Sequence, residues 1–133
     1  MKIFVFGNPL VSKDSLPVKL IPELQKKFSA SEFIRADPTE NWYTGEEILL
    51  ILDTVLGVDK VILFNSLTAF EKRPKLVTPH DYDLFTDLNI LHKIGKVKKT
   101  IIIGIPAVAE MKITLEQVIR AIREAMLFHF PGK

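Results

Sequence analysis

The 133-residue sequence contains no cysteine. That one absence excludes disulfides, zinc ribbons, iron–sulfur clusters and thiol nucleophiles together. It argues against a secreted, disulfide-stapled scaffold and favours a cytoplasmic protein. Histidine is scarce, at three residues, so any metal must be held by oxygen ligands and one of only three imidazoles. Glycine-rich phosphate loops are missing: neither GxxxxGK(S/T) nor GxGxxG occurs, and no GxSxG supports a hydrolase serine elbow. No apolar run approaches the roughly 18 residues of a membrane span. The opening Met1-Lys2-Ile3-Phe4-Val5-Phe6 is broken by Gly7, Asn8 and Pro9, too soon for a signal peptide. Lys plus Arg number 18 and Asp plus Glu 16, a net charge of +2 that is too small to call for nucleic acid as partner.

What is present is ordinary globular material, 47% apolar and 26% charged, in one domain spanning residues 1–133. Lys2–Phe6 reads as a buried strand ending in a sharp turn. Ser15 and Pro17 open a helix carrying Val18, Ile21, Leu24 and Phe28 at helical spacing. Glu32–Ala36 reads as a second strand, closed by Asp37-Pro38. Thr44 and Glu47 form a capping box, which predicts a helix through Ile48–Leu56 with Gly57 at its C-terminus. Val61–Phe64 reads as a third buried strand with Asn65 just past it, and Leu76-Val77 as a short edge strand. Thr78-Pro79-His80-Asp81 looks like a helix start, and that helix stops at Gly95. Thr100–Ile105 is a strand cut by Pro106. A last helix starts from a capping box of Thr114 and Gln117. Strands alternating with helices predict a three-layer α/β/α domain with a mainly parallel, twisted sheet of about five strands.

In such a sheet ligands bind beyond the carboxyl ends of the strands, which draws attention to the polar residues of those loops. Asp14, Asn8, Asp37, Asn65 and His80 are the candidates. Each also has a bland reading: Asp14 as an acid near a helix start, Asp37 and Asn65 as local turn formers, His80 as a capping-turn residue. His92 and His129 read as helix C-terminal cations. Carboxylate, amide oxygen and imidazole together make a plausible open site for a borderline metal such as nickel or zinc.

Over nearly its whole length the sequence resembles the maturation endopeptidases of nickel–iron hydrogenases. The likeness rests on Phe6-Gly7-Asn8-Pro9-Leu10 and the acid Asp14 ahead of the first helix, on Thr78-Pro79-His80-Asp81-Tyr82-Asp83-Leu84, and on Gly104-Ile105-Pro106. It implies a cytoplasmic peptidase that makes one cut near the C-terminus of a hydrogenase large-subunit precursor after nickel insertion. In that family nickel is recognised by an acid, an acid at the end of strand three in a V-D-A-type segment, and a histidine. These fall on Asp14, Asn65 and His80. The chain departs from the family pattern at Lys13, Pro17 and Asn65, and at Asp37-Pro38-Thr39-Glu40 where the family has Asp-Gly-Gly-Thr. Two other readings compete: a non-catalytic relative serving as a binding or assembly protein, and an unrelated small α/β ligand-binding domain. Lys93, Lys96, Lys98 and Lys99 form either a solvated face or a contact for an acidic partner. Trp42, Tyr43, Phe70, Tyr82 and Phe85 either cap the core or line a docking cleft.

Overall fold

Ile48-Leu49-Leu50-Ile51-Leu52 is an uninterrupted apolar run, and it forms the middle of the sheet. The computed structural model describes residues 1–71 and 81–130. Its strands are β1 Lys2–Phe6, β2 Glu32–Ala36, β3 Ile48–Val55, β4 Ile62–Phe64 and β5 Lys99–Pro106. Its helices are α1 Leu16–Lys27, α2 Leu67–Glu71, α3 Asp81–Lys93 and α4 Met111–His129. The five strands form one sheet in the order β2-β1-β3-β5-β4. All neighbours are parallel except β4, which runs antiparallel to β5.

Alternation along the strands divides the core into two layers. Ile3 and Val5 of β1, with Leu50 and Leu52 of β3, face Leu20 and Leu24 of α1 and Val118 and Ile122 of α4. Phe4, Phe6, Leu49, Ile51 and Val55 face the other way, towards Leu67 and Phe70 of α2 and Leu84 and Leu88 of α3. The result is a three-layer α/β/α arrangement. Each fully buried Leu, Ile or Phe contributes about 1.5–3 kcal/mol relative to remaining exposed.

Of the aromatic residues singled out in the sequence, those with described side chains, Trp42, Tyr43, Phe70 and Phe85, lie in or against this core. Trp42 is buried and meets Phe4 and Phe6 edge-on, at ring separations of 5.3 and 5.2 Å. Phe70 is buried between Phe64 and Phe85.

Several expectations are corrected. The predicted helix over 48–56 is strand β3. A short apolar run reads equally well as buried helix or buried strand, and here pairing on both sides decides it. Leu49–Leu52 are at most 1% exposed, which an amphipathic surface helix does not achieve. The expected Thr44–Glu47 capping box is absent: the Thr44 hydroxyl bonds the Glu46 carboxylate at 2.7 Å. Gly57 instead occupies a turn with φ of +76°. The run Val61–Phe64 is not a buried central strand but a half-buried antiparallel edge. The last helix starts earlier than Thr114. Glu110 is its N-cap, accepting from the backbone N–H groups of Lys112 and Ile113 at 3.1 and 2.8 Å. Gln117 accepts from the Val61 N–H at 3.0 Å rather than closing a box. The expected edge strand at Leu76-Val77 and the Thr78 cap lie outside the described residues.

Candidate functional site

The chain leaves β1, crosses through α1 to β2 on one side, and then returns to β3 on the other side of β1. The connections therefore diverge between the carboxyl ends of β1 and β3. Such a switch point is where ligands bind in sheets of this kind. Two stretches border it here: the loop from Gly7 to Ser15, and the end of β3 from Asp53 to Val55.

The loop after β1 is held by its own backbone. Asn8 N–H donates to the Asp14 carbonyl at 2.7 Å, Val11 N–H to the Asn8 carbonyl at 3.1 Å, and Asp14 N–H to the Val11 carbonyl at 2.9 Å. The Asn8 side-chain oxygen accepts from Leu10 N–H at 2.9 Å. Ser12–Asp14 form one 3-10 turn, and Ser15 closes it by donating to the Ser12 carbonyl at 3.1 Å. Gly7 is required by packing: a Cβ there would stand 2.8 Å from the Asp14 carbonyl oxygen. The outcome of this folding is an acid, Asp14, that is only 3% exposed at the mouth of the sheet.

Asp53 ends the apolar run of β3 and is 2% exposed. Its Oδ1 accepts from the N–H of Thr54 at 2.8 Å. Register places it opposite Gly104 of β5, and the pairs Phe4–Ile51 and Val5–Leu52 place it at the level of Phe6 in β1. Strand alternation turns its side chain to the face that carries Ile51 and Val55, towards α2 and α3. Gly104 must be small there, since a Cβ would meet Val55 at 2.6 Å and Phe64 at 3.1 Å. A buried carboxylate is costly unless paired or hydrogen-bonded, and neither Asp14 nor Asp53 lacks an interaction partner.

Of the residues picked from the sequence, Asp14 lies buried in the loop beside this switch point. Asn8 and Asp37 also lie at the carboxyl edge, lining one cavity of about 310 Å³ with Arg35, Pro38 and Glu40. Asp37 uses Oδ1 to accept from Thr39, in the turn expected of it. Asn65 does not join them. Because β4 is antiparallel, its end lies beside the start of β5, and Asn65 is exposed at the opposite edge of the sheet, near His92 and Thr100. A parallel third strand would have brought it to Asp14; the reversed strand takes it away. His80 lies outside the described residues. The helix that follows it, α3, ends at the far edge, where His92 Nε2 bonds Thr100 Oγ1 at 2.8 Å. The start of α3 therefore points back to the carboxyl edge. Among the described residues no three His, Asp or Glu side chains come together as a metal-ligand group.

Asp53 was not among the sequence candidates. Its signal was an acid set directly after five apolar residues, a place where an unpartnered charge is rarely tolerated. The misassigned helix hid it.

The fold is thus an α/β/α domain with two buried acids, Asp14 and Asp53, at the carboxyl ends of the strands that flank its switch point. No protein-family model matches the chain, and no curated protein matches its sequence. In three dimensions the chain is similar to the NiFe hydrogenase maturation protease HybD from Thermococcus kodakarensis, with a TM-score of 0.68 at 20% identity over 93% of this chain and 98% of that one. It is also similar to an uncharacterized protein from Wolinella succinogenes, with a TM-score of 0.53 at 13% identity over 95% and 94% of the two chains. The resemblance to the maturation endopeptidases therefore holds for the fold over most of the chain. Among the described residues no helix is long and apolar enough to cross a membrane.

Proposed function

We propose that the chain is a single-domain cytoplasmic endopeptidase, residues 1–133, that trims the C-terminus of a nickel–iron hydrogenase large-subunit precursor. Recognition runs through the nickel that the precursor carries. The observation supporting this is the placement of two buried carboxylates, Asp14 and Asp53, at the switch point of a fold shared with HybD.

A borderline divalent ion suits carboxylate oxygen and imidazole nitrogen together. Asp14 and Asp53 offer the anionic oxygens, and His80, directly before α3, offers the imidazole. Asp53 replaces Asn65 in the set, because the resembled family carries its second acid at the end of the third strand and β3 is that strand. The exchange restores a charged ligand where a neutral amide, a weaker donor to a divalent cation, had been expected. In this reading the three side chains bind and orient the metal-bearing end of the precursor. The cavity beside Asn8 and Asp37 receives adjoining peptide.

The test uses the purified chain with nickel-loaded and nickel-free precursor, followed by intact mass measurement of the precursor. Shortening of the nickel-loaded form alone is expected, and it should vanish with Asp53→Asn. An intact nickel-loaded precursor, under conditions in which HybD cuts its own, would overturn the reading. Tight binding without shortening would point to an assembly role instead.

A further inference from the structure

β2 is an edge strand whose outer side is only partly closed. The Glu32 N–H donates to the Met1 carbonyl at 2.8 Å, and register sets Glu32 opposite Lys2. Alternate residues of a strand bond the same neighbour, so Glu32, Ile34 and Ala36 bond β1. The backbone groups of Phe33 and Arg35 therefore point away from the sheet. Gln25 of α1 closes the amino end of this edge. Its side chain accepts from the Phe33 N–H at 3.3 Å and donates to the Ser31 carbonyl at 2.7 Å. Past it, three groups have no partner among the described residues: the Phe33 carbonyl, the Arg35 N–H and the Arg35 carbonyl. An open edge of this kind is a template for another extended chain. It leads directly into the cavity beside Asn8, since Arg35, Ala36 and Asp37 line that cavity together with the end of β1. The Arg35 side chain is exposed and makes no ion pair among the described residues. On the other face of β2, Ile34 is half-buried against the layer that holds Phe4 and Trp42.

We propose that this edge takes the C-terminal extension of the precursor as an added strand, antiparallel to β2. The inference rests on the peptidase reading above and gives a place to the segment that the cut releases. Direction follows from order along the precursor. Its metal-bearing part lies at the switch point and the extension comes after it, so the extension crosses the cavity first and meets β2 at its carboxyl end. Neighbouring strands are about 4.8 Å apart, so the added strand lies about 10 Å from β1, a span of about three extended residues. One residue of the extension then exchanges both main-chain bonds with Arg35, and the residue two further on donates to the Phe33 carbonyl. Gln25 ends the ladder there. The residue opposite Arg35 shares its face of the sheet, where an acid meets an unpaired guanidinium. The next residue lies beside Ile34, where an apolar side chain extends the buried layer. A second copy of this chain suits the edge less well. Two β2 edges paired at Arg35 set like charges opposite each other, and pairing Arg35 with Phe33 meets the N–H that Gln25 holds.

The experiment titrates the full chain with a synthetic peptide, the residues that follow the cut in the precursor of the processing assay, and follows ¹H–¹⁵N NMR spectra. Saturable shifts at residues 33–37 are expected, with slower solvent exchange of the Arg35 N–H in the bound state. Peptides carrying one N-methyl group each then read the main chain directly. Methylation at two positions, two residues apart, should weaken binding about fivefold each, and methylation between them should not. Arg35→Pro removes the outward N–H without breaking a bond to β1, and should also weaken binding about fivefold. Arg35→Gln keeps that N–H and should keep the alternating pattern. Each variant is checked for a native spectrum away from 33–37. Unmoved amides at 33–37 in a chain that does shorten the precursor would overturn this proposal and leave the peptidase reading standing. A chain that shortens nothing would overturn both. An N-methyl scan without alternation would also overturn the proposal. So would protection of Arg35 that rises with protein concentration and ignores the peptide, which would give the edge to a second copy.

Discussion

The Cα of Gly7 lies so close to the backbone of Asp14 that a Cβ on the glycine would meet the Asp14 carbonyl oxygen at 2.8 Å. The same carbonyl accepts the Asn8 N–H at 2.7 Å, so the turn cannot open without losing that bond. Gly7 thus fixes the position of the acid by allowing the loop to fold back on β1. Gly7→Ala should displace Asp14 and destabilise the fold by about 1–3 kcal/mol, the usual cost of overpacking a tight site. Urea denaturation gives the stability, and precursor processing gives the effect on the site. A variant with native stability and native processing would show that the loop shifts without consequence.

Asp53 and Asn65 offer a direct contest between the structural placement and the sequence alignment. Asp53→Asn should abolish nickel-dependent processing by about a hundredfold or more, as expected when a group that holds a metal is lost. Asn65→Asp and Asn65→Ala should leave processing unchanged, because Asn65 sits at the other edge of the sheet. Kinetics of precursor shortening on the three variants settles it. If Asn65→Asp enhances processing while Asp53→Asn is silent, the ligand set must be redrawn.

The contrast between those two residues also shows how far the sequence could be read. β1, β2 and β5 were legible because each is a short apolar run closed by glycine, proline or an acid, and α1 and α3 because their periodicity and end signals agree. Gly95, with φ of +78°, stops α3 where expected. β3 was not legible. Its five apolar residues fit helix and strand alike, and an apparent capping box at Thr44 tipped the balance. Only non-local pairing with β1 and β5 decides between them, and no local pattern contains that information. The reversed direction of β4 has the same origin. One misplaced element then renumbered the strands and put Asn65, rather than Asp53, at the end of the third strand.

The start of α4 tests a local signal that was overlooked. Glu110 caps with its carboxylate, on Lys112 and Ile113 N–H, in place of the more usual Ser, Thr, Asp or Asn. Glu110→Ala should cost about 0.5–2 kcal/mol, measured by urea denaturation, with Thr114→Ser costing less. Equal stability of native and Glu110→Ala proteins would mean that the carboxylate bonds are replaced by water at no cost.

Trp42 is the single tryptophan, packed on Phe4 and Phe6 with its Nε1–H donating to Asp87 Oδ2 at 3.0 Å. It ties the loop after β2 to both β1 and α3. Trp42→Ala should cost about 3–5 kcal/mol. Replacing only the partner, Asp87→Ala, removes a hydrogen bond to a charged acceptor and should cost about 1.5–3 kcal/mol. Native Trp fluorescence should report global unfolding with the same midpoint as circular dichroism. Separate midpoints would reveal that the 42–47 loop detaches before the sheet melts.

His129 ends α4 at the far edge, half-buried, with Nδ1 enclosed and without a hydrogen-bond partner among the described residues. Burial first, and the charge of Lys99 second, hold its imidazole below the ordinary value of 6.5, while Glu124 pulls the other way. With the folded value below the unfolded one, the unfolded chain binds more protons in the interval between them. The stability associated with neutral His129 is present above 6.5 and is lost as pH falls from there through the folded value. His129→Gln cannot titrate, so it should show a shallower loss of stability between about pH 7.5 and about pH 5 than the native protein, with carboxylate contributions common to both. Urea midpoints at several pH values measure the difference. Parallel curves for the two proteins would show that His129 titrates alike in the folded and unfolded chain.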